Sequence, residues 1–170
     1  DQIWLSPDNA KIEVYVKKLQ SLGYDLTLED KGDNMFGFLG IEILRKGETI
    51  ELTQKGLIDK VISYCGMDNA SKKATPAATE PLGTDKHGAP FDEEWSYPAA
   101  VGMLLYLSSN TRPDIQYAVH QVARFSHCPR KSHAQAIKRI VRYLVGTRER
   151  GTLFVPDMNQ GLDCYVDADF

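Results

Sequence analysis

The chain has 170 residues, of which 42% are hydrophobic and 25% charged, and its formal net charge is −3. This composition is typical of a globular protein with a sizeable core and argues against a disordered chain. The longest apolar run, 99–107, is much shorter than the roughly 20 residues that span a bilayer, so we expect no membrane partner.

The charge is unevenly distributed along the chain. Residues 111–150 carry nine Lys or Arg against two Asp or Glu, whereas the segments on both sides have a net negative charge. A basic block in an acidic chain is typical of a surface that faces phosphates, and from charge alone an ordinary solvated basic face is the alternative. The helical aromatic residues in and near this block can stack on bases, although their spacing favours core positions: Tyr106, Tyr117, Phe125 and Tyr143.

The cysteines and the chain ends bear on the context of the protein. Cys65, Cys128 and Cys164 are odd in number and widely spaced, which favours free thiols and an intracellular protein over a disulfide framework. The chain starts at Asp1 without a methionine and stops within an apparent strand, so we expect it to be a piece of a longer protein.

The first part of the chain predicts two helices around a hairpin. Apolar residues recur at helical spacing between 6 and 22. Residues 36–44 are apolar and β-prone, 45–48 read as a turn, and 49–52 as the returning strand. Thr53 is then placed to cap a second helix.

A linker is predicted at 68–94, where Ser, Thr, Ala, Pro and Gly dominate. This is the clearest internal boundary in the sequence. We therefore expect a first unit at 1–67, a helical unit at 95–150 and a pair of strands in 151–170.

The helical unit begins with a helix at 98–107 that is apolar nearly all round and therefore buried. Residues 108–110 are predicted to break it. Thr111 can cap the next helix with Asp114 as the partner of a capping box. A further amphipathic helix opens at Ser132.

An acidic pair lies on the last predicted strand. Asp167 and Asp169 are two residues apart, so their carboxylates face the same side of a sheet. Such pairs hold Mg²⁺ in phosphoryl-transfer sites, but a lone D-x-D pattern also fits a solvated strand end.

Several segments resemble the polymerase region of copia-type LTR retrotransposons. The family pattern Y-x-x-x-V-G-x-L-x-Y-L…T-R-P-D-I-x-Y-A-V is matched by residues 96–119, SYPAAVGMLLYLSSNTRPDIQYAV. The patterns F-L-G-I-x-I and K-R-I-L-R-Y-L-x-G-T are similar to 38–43 and 137–147. The ribonuclease H opening Y-x-D-A-D-W-A-G resembles 165–170, with Phe170 where tryptophan is common.

The resemblance implies an α+β fold. It would comprise the end of a polymerase palm with a β-hairpin, a helical thumb-like bundle, and C-terminal strands that begin a ribonuclease H-like sheet. Asp1 matches the last Asp of the Y-x-D-D polymerase motif, and Asp167 matches the first ribonuclease H metal ligand, with Asp169 beside it. The remaining ligands would lie elsewhere, so Mg²⁺ is expected only in the intact enzyme.

The resemblance also implies a role in RNA-directed DNA synthesis, in a cytoplasmic particle or the nucleus. The fragment would bind and position an RNA–DNA hybrid or template–primer duplex, and the remainder of the pol polyprotein would be its partner. The expected phosphate-binding residues are the cations on or beside two adjacent helices: Arg112, Arg124, Arg130, Lys131, Lys138, Arg139 and Arg142. The alternative is a catalytically dead relic or a domesticated helical module that binds another protein.

Overall fold

The computed structural model describes residues 9–26 and 35–156. Its helices are α1 (Asn9–Ser21), α2 (Lys55–Tyr64), α3 (Tyr97–Asn110), a 3₁₀ turn (Pro113–Ile115), α4 (Gln116–Ala123) and α5 (Lys131–Gly146). Its strands are β1 (Met35–Phe38), β2 (Ile41–Lys46), β3 (Thr49–Thr53) and β4 (Thr152–Phe154). The strands form one antiparallel sheet in the order β1-β2-β3-β4, which confirms the predicted α+β class.

The apolar run 36–44 forms two strands, so the prediction of one continuous strand is wrong. A turn at Leu39 and Gly40 separates β1 from β2, and both residues have positive φ, 50° and 75°. The hydrophobic pattern does not register this turn because Leu39 is itself apolar. A second turn at Gly47, with φ 61°, connects β2 to β3.

The last described strand joins the hairpin sheet. β4 pairs with β3 through Ile50 opposite Phe154 and Leu52 opposite Thr152, and so does not open a separate sheet. Gly151 allows this approach, because a Cβ at that position would lie 2.0 Å from the carbonyl oxygen of Leu52. The second expected strand, in 162–168, lies outside the described residues.

The core crosses the boundary that the sequence predicted. Ile58 of α2, Leu104 of α3, Val119 of α4 and Leu144 of α5 are each 0% exposed and belong to one hydrophobic cluster. α2 therefore packs with α3–α5 instead of with the hairpin alone. None of the helices in 9–26 and 35–156 combines the length and apolarity that a bilayer span requires.

Residues 68–94, which we call the strap, form no helix and no strand apart from a single bridge between Pro90 and Arg130. The strap nevertheless packs against the helices. The rings of Phe91 and Trp95 pack edge to face, with their centroids 5.1 Å apart. The backbone N–H of Lys73 donates to the carbonyl of Arg142 at 3.1 Å. The predicted linker is thus part of the packed structure.

α3 continues through residues 108–110, which were expected to break it. The hydroxyls of Ser108 and Ser109 both donate to the carbonyl of Leu105, at 3.0 and 2.6 Å. These bonds keep the polar side chains within the helix, and the core holds the preceding turn in place.

Two expected helix caps make tertiary hydrogen bonds instead. The Thr53 hydroxyl donates to a carboxylate oxygen of Glu42 at 2.9 Å, across the β2–β3 pair. The Thr111 hydroxyl donates to the Gln54 side-chain carbonyl at 2.8 Å, which joins the end of α3 to the start of α2.

Candidate nucleic-acid interface

The structure divides the seven predicted phosphate-binding cations into three groups. One is buried (Arg112), three contact the strap (Lys138, Arg139 and Arg142), and three surround the α4–α5 connection (Arg124, Arg130 and Lys131).

Arg112 is 1% exposed, so its predicted place on a phosphate-facing surface is corrected. Its Nε and Nη2 donate to the two carboxylate oxygens of Asp114 at 2.9 and 2.8 Å. Its Nη1 donates to the carbonyl of Thr147 at 3.0 Å, and the hydroxyl of Tyr143 donates to Asp114 at 2.7 Å. We call these four residues the arginine hub. The hub, and not a capping box, is what the Thr-Arg-Pro-Asp stretch forms.

The pKa values of the hub follow from its burial and its hydrogen bonds. Burial by itself raises the pKa of Asp114, but the hydrogen bonds from Arg112 and Tyr143 and the charge of Arg112 outweigh it, and the pKa lies below its usual value. The pKa of Tyr143 is raised by its burial and by its bond to the Asp114 carboxylate. The hub therefore contains a compensated ion pair with no charge free for a ligand.

The second group does not form the open basic face that the sequence predicted. Lys138 Nζ donates to both carboxylate oxygens of Glu93 at 2.7 and 2.8 Å, so its charge is compensated. Arg139 donates to the Thr75 hydroxyl at 2.8 Å. Arg142 donates to the carbonyl of Ser71 at 2.7 Å and to its hydroxyl. These two arginines are bound to neutral atoms and keep their net charge.

A groove of about 430 Å³ lies between the strap and helices α4 and α5. Apolar side chains such as Leu82, Val122 and Ile140 line it. We call it the strap groove and define it by its polar and charged lining: Lys73, Glu80, Tyr117, Gln121, Ser132, Gln135, Lys138, Arg139 and Arg142. Sequence analysis missed Lys73, because it concentrated on 111–150; the Lys72-Lys73 pair was the available signal.

The third group forms what we call the basic loop: Arg124, Arg130 and Lys131. No ion pair to any of the three is found in the part of the chain that the structure describes. The strap fixes the backbone here, since the N–H of Lys131 donates to the carbonyl of Ala89 at 2.9 Å. The Arg124 guanidinium lies over the ring of Phe125, 5.4 Å from its centroid.

The four aromatic residues differ in their exposure. Tyr143 is buried and Phe125 stacks on His133 with the ring centroids 4.0 Å apart, so these two are structural. Tyr106 is 39% exposed and donates its hydroxyl to a carbonyl of the β1–β2 turn. Tyr117 is 58% exposed at the rim of the strap groove and is the residue best placed to stack on a base.

The predicted catalytic and metal residues Asp1, Asp167 and Asp169 lie outside the described residues. Within 9–26 and 35–156, no group of three or more His, Cys, Asp or Glu side chains is placed to hold a metal ion.

Comparison with known proteins identifies relatives among transposon proteins. The chain is 35% identical, over 89% of its length, to the retrovirus-related Pol polyprotein from transposon RE1 of Arabidopsis thaliana, and 38% identical, over 64%, to that from transposon TNT 1-94 of Nicotiana tabacum. It spans only 10% and 9% of the length of these two polyproteins. An uncharacterized mitochondrial protein of Arabidopsis thaliana is 29% identical over the whole chain, which covers 68% of that protein.

No family model and no solved structure matches the chain. The polyprotein matches extend over most of the described helices and strands, and they agree with the resemblance drawn from residues 96–119. The chain is therefore homologous to the copia-type retrovirus-related Pol polyproteins of transposons, and it corresponds to about a tenth of their length.

Proposed function

We propose that the chain is part of the reverse transcriptase and ribonuclease H region of such a polyprotein, where it binds and positions the RNA–DNA template–primer. The observation that carries the proposal is that this homologue of Pol polyproteins has a basic loop with cations left unpaired in the described part of the chain. Its cations Arg124, Arg130 and Lys131 are uncompensated by any carboxylate among the described residues.

The chemistry of the basic loop suits a duplex backbone. Exposed Arg and Lys side chains bind phosphate oxygens without reading base sequence, as a polymerase that copies any template requires. The strap holds the backbone on both sides of Arg130, because the N–H of Lys131 donates to the carbonyl of Ala89 and the N–H of Phe91 donates to the carbonyl of Pro129. The backbone that carries Arg130 and Lys131 is therefore ordered before a duplex arrives, which lowers the entropic cost of binding.

The proposal is tested by titrating the full 170-residue chain against a labelled RNA–DNA hybrid at several salt concentrations. Binding should weaken as salt rises, because phosphate contacts release counterions. A variant with Arg124→Gln, Arg130→Gln and Lys131→Gln should bind more weakly, with a slope of log K against log salt that is shallower by about 2–3.

The matched control removes three exposed cations from α1: Lys11→Gln, Lys17→Gln and Lys18→Gln. It changes the net charge equally but leaves the basic loop intact. Absent or salt-independent hybrid binding, or equal loss in both triple variants, would contradict the proposal.

The chemical steps belong, in this proposal, to the intact polyprotein inside the cell. Asp1 would be part of its polymerase motif, and Asp167 and Asp169 would contribute to Mg²⁺ binding in its ribonuclease H domain. The fragment itself supplies duplex binding, and positioning contributes strongly to phosphoryl transfer.

A second candidate is a relic or domesticated module that binds another protein. It is favoured by the apolar side chains on and after β4, since Leu153, Phe154 and Val155 are 58%, 51% and 67% exposed. Sequencing the gene on both sides separates the two candidates. An intact Y-x-D-D motif upstream with acidic motifs downstream supports the enzyme, whereas early stop codons or an unrelated exon support the module.

A further inference from the structure

We propose that the strap groove binds an unpaired nucleotide of a single-stranded nucleic acid. Its phosphate would lie at Arg139 and Arg142, and its base would stack on Tyr117. This inference deepens the proposed function and rests on it for the choice of a nucleic-acid ligand, but it concerns a surface separate from the basic loop.

The shape of the groove suits one nucleotide. Its volume of about 430 Å³ lies within the range of roughly 300–1,000 Å³ that is usual for small-ligand sites. Leu82, Val122 and Ile140 give it an apolar lining, and the Gln121 and Gln135 amides provide hydrogen-bond donors and acceptors. A flat base with polar edges matches this combination.

The charge of the groove favours an anion. Lys73, Arg139 and Arg142 line it against one carboxylate, Glu80, while Lys138 is already compensated by Glu93. The strap bonds Arg139 and Arg142 through neutral oxygens, from Thr75 and Ser71. A phosphate oxygen is a stronger acceptor for a guanidinium than a hydroxyl or carbonyl, so a phosphate can compete for these donors.

Arg139 also has a hydrogen-bonding deficit. Its Nε is buried and has no hydrogen-bond partner in the part of the chain that the structure describes. An unpaired buried donor on a cation is costly, so an anionic oxygen that reaches Nε would be favoured.

Tyr117 favours an unpaired base over a duplex. The ring is 58% exposed at the groove rim, and stacking on an aromatic side chain requires a free base face. In a duplex both faces of each base are covered by its neighbours. The groove is therefore expected to bind a strand end or an overhang, while the basic loop binds paired backbone.

The experiment uses the full chain and a short fluorescent oligoadenylate, with anisotropy as the readout and the RNA–DNA hybrid as a parallel ligand. Tyr117→Leu should weaken oligoadenylate binding by about fivefold or more, since stacking contributes about 1–3 kcal/mol per base. It should leave hybrid binding unchanged. The matched control is Tyr24→Leu, another exposed tyrosine (61%) that does not line the groove. Circular dichroism melts check that both variants are folded.

A second measurement does not depend on substitution. Ultraviolet crosslinking of the oligoadenylate, followed by peptide mapping, should place the crosslink at Tyr117. If the chain binds the hybrid but Tyr117→Leu leaves its affinity for oligoadenylate unchanged, the groove assignment is overturned and the proposed function stands. If the chain binds oligoadenylate but does not bind the hybrid, the proposed function is overturned instead.

Competitors distinguish the remaining ligands. Displacement of the oligoadenylate by free adenosine monophosphate at equal nucleotide concentration would identify a free-nucleotide site and overturn the assignment to a strand. Displacement by a polyglutamate peptide of equal charge would identify an acidic-peptide site and would also overturn it. Resistance to both competitors supports the inference.

Discussion

The guanidinium of Arg112 donates to both the carbonyl and the hydroxyl oxygen of Thr147, at 3.0 and 2.7 Å, across 35 residues of sequence. Because Thr147 follows the last turn of α5, these bonds attach the end of that helix to the junction between α3 and α4. The most recognisable stretch of the sequence, Thr-Arg-Pro-Asp, is therefore a structural connection within the helical bundle.

Arg112→Lys should destabilise the fold by roughly 2–4 kcal/mol. A lysine cannot reproduce the paired donors of the guanidinium, so Asp114 and the carbonyl of Thr147 would lose partners, and the new ammonium would replace a guanidinium that is only 1% exposed. Urea unfolding measures the effect. Arg124→Lys, the same change on the exposed basic loop, should stay within about 0.5 kcal/mol of the parent chain. Similar values for both variants would show that the hub contributes little.

Asp114→Asn should remove a stability contribution that depends on pH. The pKa of Asp114 in the fold lies below its unfolded value of about 3.9, so the ionised carboxylate stabilises the fold above about pH 4. That contribution is lost as the pH falls through the folded-state pKa.

At pH 7 we expect Asp114→Asn to cost roughly 1–3 kcal/mol, towards the lower value because the side chain is 34% exposed. The difference from the parent chain should shrink as the pH falls below about 4. Denaturant unfolding at a series of pH values measures this, with Asp25→Asn as the control at an exposed site. A difference that does not change with pH would contradict the assigned ion pair.

Gly151→Ala should destabilise the pairing of β4 with β3. The added Cβ would lie 2.0 Å from the carbonyl oxygen of Leu52 and 2.8 Å from the Thr53 methyl group, so the backbones must separate. Gly102→Ala, in α3 with nothing within 4 Å of the new Cβ, is the matched control and should stabilise the chain by roughly 0.5–1 kcal/mol. Hydrogen exchange of the β3 amides would show whether β4 has detached.

Cys65 should react with thiol reagents far more slowly than Cys128 in the folded chain. Burial raises the pKa of the Cys65 thiol to about 12, so little thiolate exists at pH 8, whereas Cys128 is exposed. Alkylation followed by peptide mapping measures each site separately. In denaturant the two rates should become similar; a fast native reaction at Cys65 would show that the core around it opens.

Local patterns predicted much of the secondary structure. Helical periodicity gave α1, α2 and the long amphipathic α5, and Gly47 marked a real turn. The errors arose where tertiary contacts overrode the local preference of the sequence. Ser108 and Ser109 stay helical because the bundle and their bonds to Leu105 hold them there.

By itself, the sequence determined the α+β class, most helices and strands, and the relation to Pol polyproteins, because each depends on residues that are close together along the chain. It also located the excess of positive charge in 111–150. Only the tertiary structure decided which of those cations are free. Arg112 is neutralised by a hub that α5 completes, Lys138 by Glu93 45 residues away, and Arg139 is bonded by Thr75 64 residues away. Charge compensation depends on distance in space, which a linear pattern does not contain.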